Sequence, residues 1–321
     1  MTNRNASMNL RHLRTFVAIA DNGGFARAAA RLNLTQSAAS RQILALETEL
    51  DVRLFDRIGR RVHLTLEGED LLVRSRRLLS DAVSLSERAR ALKGGQTGTL
   101  RLGATPHVIE TLLSEFLTQY RRRYPGVDIH LVEDGGASLA SRLERGEVQI
   151  AHIPAGDERF QGRLLYPMHV LILVPKVHRL ARRAVVDLRD LSEEPLLLLG
   201  RGFGSHQWFE AACRVAQIRP RVLLESGAPH TLVSLVSAGY GLAIMPSNAH
   251  LPKAGIRAIP VVHRKEAIGR WSMVAWDPRR FLAPYAETFV EELVARVRRD
   301  FPGRAIVSRA PRLPRPKYPA E

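Results

Sequence analysis

Thr35, Gln36, Ser37, Ser40 and Arg41 crowd hydrogen-bonding side chains into one short stretch. Glutamine can pair bidentately with adenine and arginine with guanine, and small hydroxyls reach base edges or phosphates. A second group of residues suits a small ligand. Thr105-Pro106-His107, His152-Ile153-Pro154 and the run Gly200-Arg201-Gly202-Phe203-Gly204-Ser205-His206 combine hydroxyls and imidazoles with amides able to hold a carboxylate or phosphate. Covalent chemistry is not signalled, since the sequence has no GxSxG elbow, HExxH helix or cysteine pair. The glycine run also lacks the Gly-Lys-Ser/Thr of a Walker loop, and its third glycine is misplaced for a dinucleotide fingerprint. A single cysteine, Cys213, excludes an intramolecular disulfide and any multi-cysteine metal site. Neither cofactor nor metal is expected.

The first set needs helices to present it. Leu10, Leu13, Phe16, Val17 and Ala20 recur at helical spacing, and Asp21-Asn22-Gly23-Gly24 ends that helix. A short helix follows with Phe25, Ala28, Ala29 and Leu32 inward, then a break at Asn33-Leu34. Thr35 is placed to cap a third helix whose inner face is Ala39, Ile43, Leu46 and Leu50. Two short helices joined by a tight turn predict a helix-turn-helix, whose second helix enters the major groove N-terminal end first. The plainer reading is a solvated polar face on an ordinary three-helix bundle. Arg57-Ile58-Gly59-Arg60-Arg61, followed by alternating Val62 and Leu64, favours the first reading, because a basic hairpin beside such a helix is a wing.

Charge agrees. The 321 residues carry a formal net charge of +16, which favours a polyanionic partner, although an arginine-rich genome composition would also raise it. With 45% hydrophobic and 25% charged residues, the chain reads as globular and long enough for two or three domains. Apolar runs such as Val170–Pro175 are too short to span a membrane, and Met1–Leu10 does not resemble a signal peptide, so a cytoplasmic protein without membrane contact is expected.

The run Leu10 to Gly68 resembles the DNA-binding domain of the LysR-type transcriptional regulators. The likeness rests on Phe16, Ala28-Ala29, Leu32, Thr35-Gln36-Ser37, Ser40, Arg41, Leu46-Glu47, Leu54-Phe55, Arg57, Leu64-Thr65 and Gly68. Many members have proline at the position of Ser37 or Ala38. The resemblance implies DNA contacts from Gln36, Ser37, Ser40 and Arg41, with Arg31 and Thr35 beside them and a wing carrying Arg57, Arg60 and Arg61. Thr65 to Leu92 is one uninterrupted helical pattern, with Leu71, Leu78, Leu85 and Leu92 at seven-residue intervals. Such a stripe needs a partner, either its own chain or a second copy. The resemblance implies antiparallel pairing into a dimer on a dyad-symmetric operator, with tetramers favoured. RNA polymerase is a further candidate partner.

After Thr99, strands alternate with helices in a βαβαβ pattern, and a second such block runs from Val170 to about Pro260. Gly269–Trp276 and a helix near Phe281–Arg298 then return. A bilobed α/β domain follows, with ligands expected in the cleft at strand ends and helix N-termini. The segment Leu223 to Pro246 is similar to the family's effector-binding domain, which implies a fold like the type II periplasmic binding proteins. The expected effector residues are Thr105, His107, His152, Pro154, Gly202, Phe203, Ser205, His230 and Thr231, and the effector is a small molecule, an organic anion. Each histidine, taken alone, reads as a satisfied polar residue sooner than as a ligand. Gln149 and His152 depart from the acidic and aliphatic residues usual there, so both are read as retuning the pocket. Arg179 stands where proline is frequent, and Cys213, among Phe209, Ala212 and Val215, reads as a buried small hydrophobe.

The expected architecture is therefore multidomain: an all-α winged helix-turn-helix over residues 8–65, a linker helix over 66–93, a hinge, and a bilobed α/β effector domain over 97–300. A Pro- and Arg-rich tail over 301–321 is expected to be disordered and to add non-specific affinity for DNA. The function expected is sequence-specific transcriptional regulation controlled by a small-molecule effector. An enzyme or a plain solute-binding protein are the competing classes. The missing catalytic motifs weigh against the first, and the basic N-terminal unit against the second.

Overall fold

The structure, a computed structural model, describes residues 8–58, 61–92, 97–251 and 255–316. The chain divides into two compact units, residues 1–90 with 145–147, and residues 91–144 with 148–321.

In the first unit, α1 (Leu10–Asn22) begins where the Asn9 side chain accepts from the Arg11 N–H, and Gly23 ends it in the left-handed region. The short α2 (Phe25–Arg31) and α3 (Gln36–Leu50) follow. Leu13, Phe16, Ile19, Ala28, Ile43, Leu46 and Leu54 form their shared core. The wing is an antiparallel pair, β1 (Phe55–Ile58) and β2 (Arg61–Leu64), in the register Phe55 to Leu64. Its first strand is fixed by Glu47, whose carboxylate accepts from the Leu54 N–H at 2.7 Å. Thr65 then caps α4 (Leu66–Leu92), accepting from the Gly68 N–H at 2.8 Å. A Cβ on Gly68 would lie 2.2 Å from the Leu54 carbonyl, so this junction admits only glycine. The leucine stripe of α4 is divided: Leu72 is buried, Leu71 and Leu79 pack on the bundle core, and Leu78 and Leu85 are exposed.

The second unit is built on one large sheet. In chain order come β3 (Gly98–Ala104), α5 (Pro106–Val108), a π-helical turn (Ile109–Leu113), α6 (Ser114–Arg123), β4 (Val127–Glu133), α7 (Gly136–Glu144), β5 (Ile150–Pro154) and the long β6 (Gln161–Pro175). Then come β7 (Val186–Asp187), β8 (Leu196–Leu199), α8 (Gly204–Ala216), β9 (Val222–Ser226), α9 (Pro229–Ser237), β10 (Leu242–Pro246), β11 (Ile256–His263) and β12 (Glu266–Ala267). β13 (Gly269–Trp276), α10 (Pro284–Arg299) and α11 (Arg304–Val307) complete the described chain. The strand order β4-β3-β5-β13-β6-β10-β8-β9 makes two lobes sharing β6. Its first part, Gln161–His169, pairs with β13, and Val170–Pro175 is flanked by β10 and β11. That second part is apolar throughout and buried up to Val174, as a strand covered on both faces must be. The first lobe packs α6 and α10 over the sheet through Phe116, Tyr120 and Phe289. The second packs α8 and α9 around Phe209, Leu197 and Leu232.

The terminal segment corrects the sequence expectation. Residues 301–316, expected to be disordered, include the helical turn α11 and lie against the sheet, with Leu313 only 9% exposed. Proline-rich composition favours disorder, but Phe301 and Leu313 find partners on distant strands, at Tyr166 and Trp271. Residues 317–321 lie outside the described residues.

Candidate DNA-binding helix and effector pocket

α3 starts where the sequence placed its cap: the Thr35 hydroxyl accepts from the Ala38 N–H at 3.1 Å. Ala39, Ile43 and Leu46 anchor the helix inward, leaving Gln36, Ser37 and Arg41 exposed at its N-terminal end and Ser40 half-buried. The Ser37 hydroxyl lies 3.0 Å from that of Thr35. Arg31, at the end of α2, is exposed as well. Arg57 and Arg61 lie on the two wing strands, whereas Gly59 and Arg60 fall outside the described residues, as do residues 93–96 of the hinge expected over 93–98. Cationic and amide side chains thus stand at the positive end of a rigid helix dipole, an arrangement suited to an anionic polymer.

In the second unit, four strand ends converge between the lobes. Thr105 follows β3, Pro154 ends β5, Phe203 and Ser205 follow β8, and Pro246 ends β10. With His107, His152, Met168 and Trp208 they enclose a cavity of about 30 Å³, room for a water molecule or two. Beside it, and sharing Gly136, Pro154, Gly204 and Trp208, is a wider mouth of about 620 Å³ that Arg270 also lines. The lobes close tightly here: a Cβ on Gly135 would lie 2.6 Å from the Gly202 carbonyl.

The polar groups of the cavity are arranged unequally. His107 Nε2 lies 3.1 Å from the Thr105 hydroxyl, and His152 Nε2 lies 3.2 Å from the Tyr166 hydroxyl, which also accepts from Asn248 at 3.4 Å. His107 Nδ1 and the Ser205 Oγ are buried without hydrogen-bond partners. Burial holds both imidazoles below their ordinary range, His107 at about 3 and His152 at about 4, with the nearby His152 lowering His107 further. Both are neutral at pH 7. The cavity therefore offers dipoles, a free hydroxyl and the N-terminus of α8, while the mouth carries Arg270 and Glu158 beside the ion-paired Arg159 and Asp157. Arg270 is exposed and has no ion pair among the described residues.

Six of the nine expected effector residues line this cavity; Gly202, His230 and Thr231 do not. Gly202 abuts Gly135 at the lobe boundary, and His230 and Thr231 lie near the start of α9, with His230 exposed. Gly204 belongs to the glycine run the sequence singles out, whereas Gly136, Met168, Trp208 and Pro246 were not anticipated. The only signal for them was position at the ends or inner faces of elements. Gln149 is turned away to a structural task, accepting from the Arg101 N–H at 2.8 Å and donating to the Tyr285 hydroxyl at 3.3 Å. His206 is held by a backbone contact, its Nδ1 lying 2.6 Å from the Leu199 carbonyl, and Arg179 pairs with Glu194 at 2.7 Å. Cys213 is buried and its thiol is pushed up to about 11, mainly by burial, which leaves it protonated and unreactive at neutral pH.

The bacterial regulatory helix-turn-helix model of the lysR family matches residues 10–69, and the LysR substrate binding domain model matches residues 93–298. The chain belongs to the LysR family of transcriptional regulators. Among its LysR-type relatives is YnfL of Escherichia coli, named as an uncharacterized HTH-type transcriptional regulator. It is 31% identical over 289 residues, which cover 88% of this chain and 97% of YnfL. A full-length OxyR variant from Pseudomonas aeruginosa has a similar structure, with a TM-score of 0.66, 26% identity, and coverage of 92% of this chain and 95% of that one. CbnR in complex with its target DNA shares the fold with a TM-score of 0.62, 24% identity, and coverage of 90% and 100%. The LysR architecture accounts for both halves, a DNA-binding helix-turn-helix and a substrate-binding domain, and the relatives are regulators rather than enzymes. No described helix is long and apolar enough to cross a membrane.

Proposed function

We propose that this LysR-type regulator binds a dyad-symmetric operator through the N-terminal end of α3 and the wing, and is controlled by a small organic anion held between the lobes. The observation that carries the effector reading is the pair of unpartnered buried groups lining one cavity, Ser205 Oγ where α8 begins and His107 Nδ1 on α5. A carboxylate there would accept from the Ser205 hydroxyl and the first amides of the helix, with Arg270 contributing charge from the mouth. The exposed Leu78 and Leu85 of α4 support a dimer through the linker helix, and pairs of dimers would give the tetramer.

DNA binding is tested by fluorescence anisotropy on the protein's own upstream DNA and on an unrelated duplex, across several salt concentrations. Selective binding with a steep salt slope is expected, and equal weak binding to both duplexes would sink the reading. Arg41→Ala should cost about 1–3 kcal/mol on the operator if the guanidinium reads a base. An unchanged affinity removes it from the interface. For the effector, a panel of small carboxylates is screened by thermal shift. At least one should raise the melting temperature of the parent protein and stabilise Ser205→Val markedly less. Equal stabilisation of both proteins would place the anion elsewhere.

A further inference from the structure

The segment beyond residue 298 lies outside the stretch matched by the family's domain model, yet it docks along the line where the lobes meet. β6 passes from one lobe to the other at His169, the last residue paired with β13, while Val170 is the first paired with β10. The terminal segment makes its contacts at that crossing. The Phe301 ring stacks on Tyr166, with centroids 5.3 Å apart and planes 6° from parallel. His169 Nε2 donates to the Pro311 carbonyl at 2.9 Å, Trp271 Nε1 donates to the Leu313 carbonyl at 3.5 Å, and Arg315 lies over the Trp271 ring. On the second lobe, Gly303 sits at a φ of +81° so close to the exit of β10 that a Cβ would lie 2.0 Å from the Ser247 carbonyl. Ser247 is itself tied to His169, through its N–H to the His169 carbonyl at 2.9 Å and its hydroxyl from the His169 N–H at 3.1 Å.

We propose that residues 301–316 are a strap that limits rotation of the two lobes about His169 and is coupled to the cleft through Tyr166. Rotation would have to separate Gly303 from Ser247, or Phe301 and Leu313 from Tyr166 and Trp271, because one segment holds β6 and β13 on one side and the end of β10 on the other. Apolar surface would be exposed in either case. Tyr166 is the link inward: one face of its ring carries Phe301, and its hydroxyl meets His152 in the cavity wall. A change of position at His152 is therefore felt by the strap, and release of the strap by His152. Pro302, Pro311 and Pro314 restrict the undocked segment and so reduce the entropy lost when it docks. The strap's mechanical role holds whatever the cleft binds. Only its consequence for signalling rests on the effector reading.

The test reads the lobes directly, in full-length protein with no ligand. Spin labels are placed at Arg122→Cys on α6 and Arg219→Cys after α8, both exposed and on opposite lobes. Cys213 is buried and stays unlabelled. Labelled chains are diluted with unlabelled protein, and the distance distribution is measured by pulsed electron resonance. A narrow distribution is expected for the parent. In the chain ending at Asp300, and in Phe301→Ala combined with Leu313→Asp, it should at least double in width. Distributions that superimpose on the parent would overturn the proposal. A second measurement needs no variant, should those chains fail to fold. In the parent, the hydrogen-bonded amides of His169 and Val170 should exchange at the same rate as those of Ile306 and Ser308, since hinge opening and strap release are one event. Strap amides that exchange at a rate unrelated to the hinge would equally overturn it.

Discussion

Lowering the pH from 7 to 4 should destabilise the second unit by several kcal/mol, through His107 and His152. In the unfolded chain both imidazoles take up protons near pH 6.5, whereas burial delays this in the folded protein to about pH 4 for His152 and about pH 3 for His107. Between these values the unfolded state binds more protons, so stability falls as the pH falls from about 6.5. Above that both groups are neutral in either state, and their contribution is complete. Each unit of separation is worth ~1.4 kcal/mol, which for two nearly fully buried groups gives an effect on the order of several kcal/mol by pH 4. Denaturant midpoints measured from pH 7.5 to 4 for the parent, His107→Gln and His152→Gln isolate this share from that of the carboxylates. Each variant should lose part of the acid slope. If the slope is unchanged, the imidazoles are already charged in the folded protein, and the picture of a neutral cavity fails.

Phe16→Ala should cost the first unit about 3–5 kcal/mol, as expected for an aromatic ring deleted from a closed core. Phe16 is fully buried and meets Phe55 edge-on at 5.4 Å, and Phe55 in turn meets Phe25 at 5.8 Å. One ring therefore ties α1 to the first wing strand and, through it, to α2. A bundle of this size has little stability in reserve, so the variant should lose operator binding as well as its melting transition. Leu44→Ala is the control, because Leu44 is 65% exposed on α3 and should shift stability by no more than about 0.5 kcal/mol. A loss below about 1 kcal/mol for Phe16→Ala would mean that the wing does not depend on this cluster.

Helix α3 was legible because its determinants are local. Thr35 caps four residues before Ala39 turns inward, and the reading needed nothing beyond that spacing. The βαβ order and the glycine-rich entry into α8 were legible for the same reason. β6 was legible only from Val170, since Gln161–His169 mixes polar and apolar residues and its pairing with β13 joins segments more than a hundred residues apart. Pocket membership was half-legible: strand ends such as Thr105 and Pro154 announce themselves, but Met168 and Trp208 enter only because of which way their elements face. The strap was illegible in principle. A run rich in proline and arginine looks the same whether solvated or docked, and two apolar contacts made far away in the chain decide which.

Because β13 and α10 follow the whole second lobe in the chain, the first lobe is translated in two instalments. β3, β4 and β5 leave the ribosome early, but their core is closed by Tyr285, Phe289 and Leu293 of α10, which is made only after the whole second lobe. The DNA-binding unit, by contrast, is contiguous from α1 to α4 apart from a three-residue contribution. Vectorial synthesis thus delivers the complete DNA-binding unit well before the second unit is finished, and the first lobe stays open until α10 emerges. A chain released before α10 is made would carry the DNA-binding unit joined to a first lobe that cannot close its core.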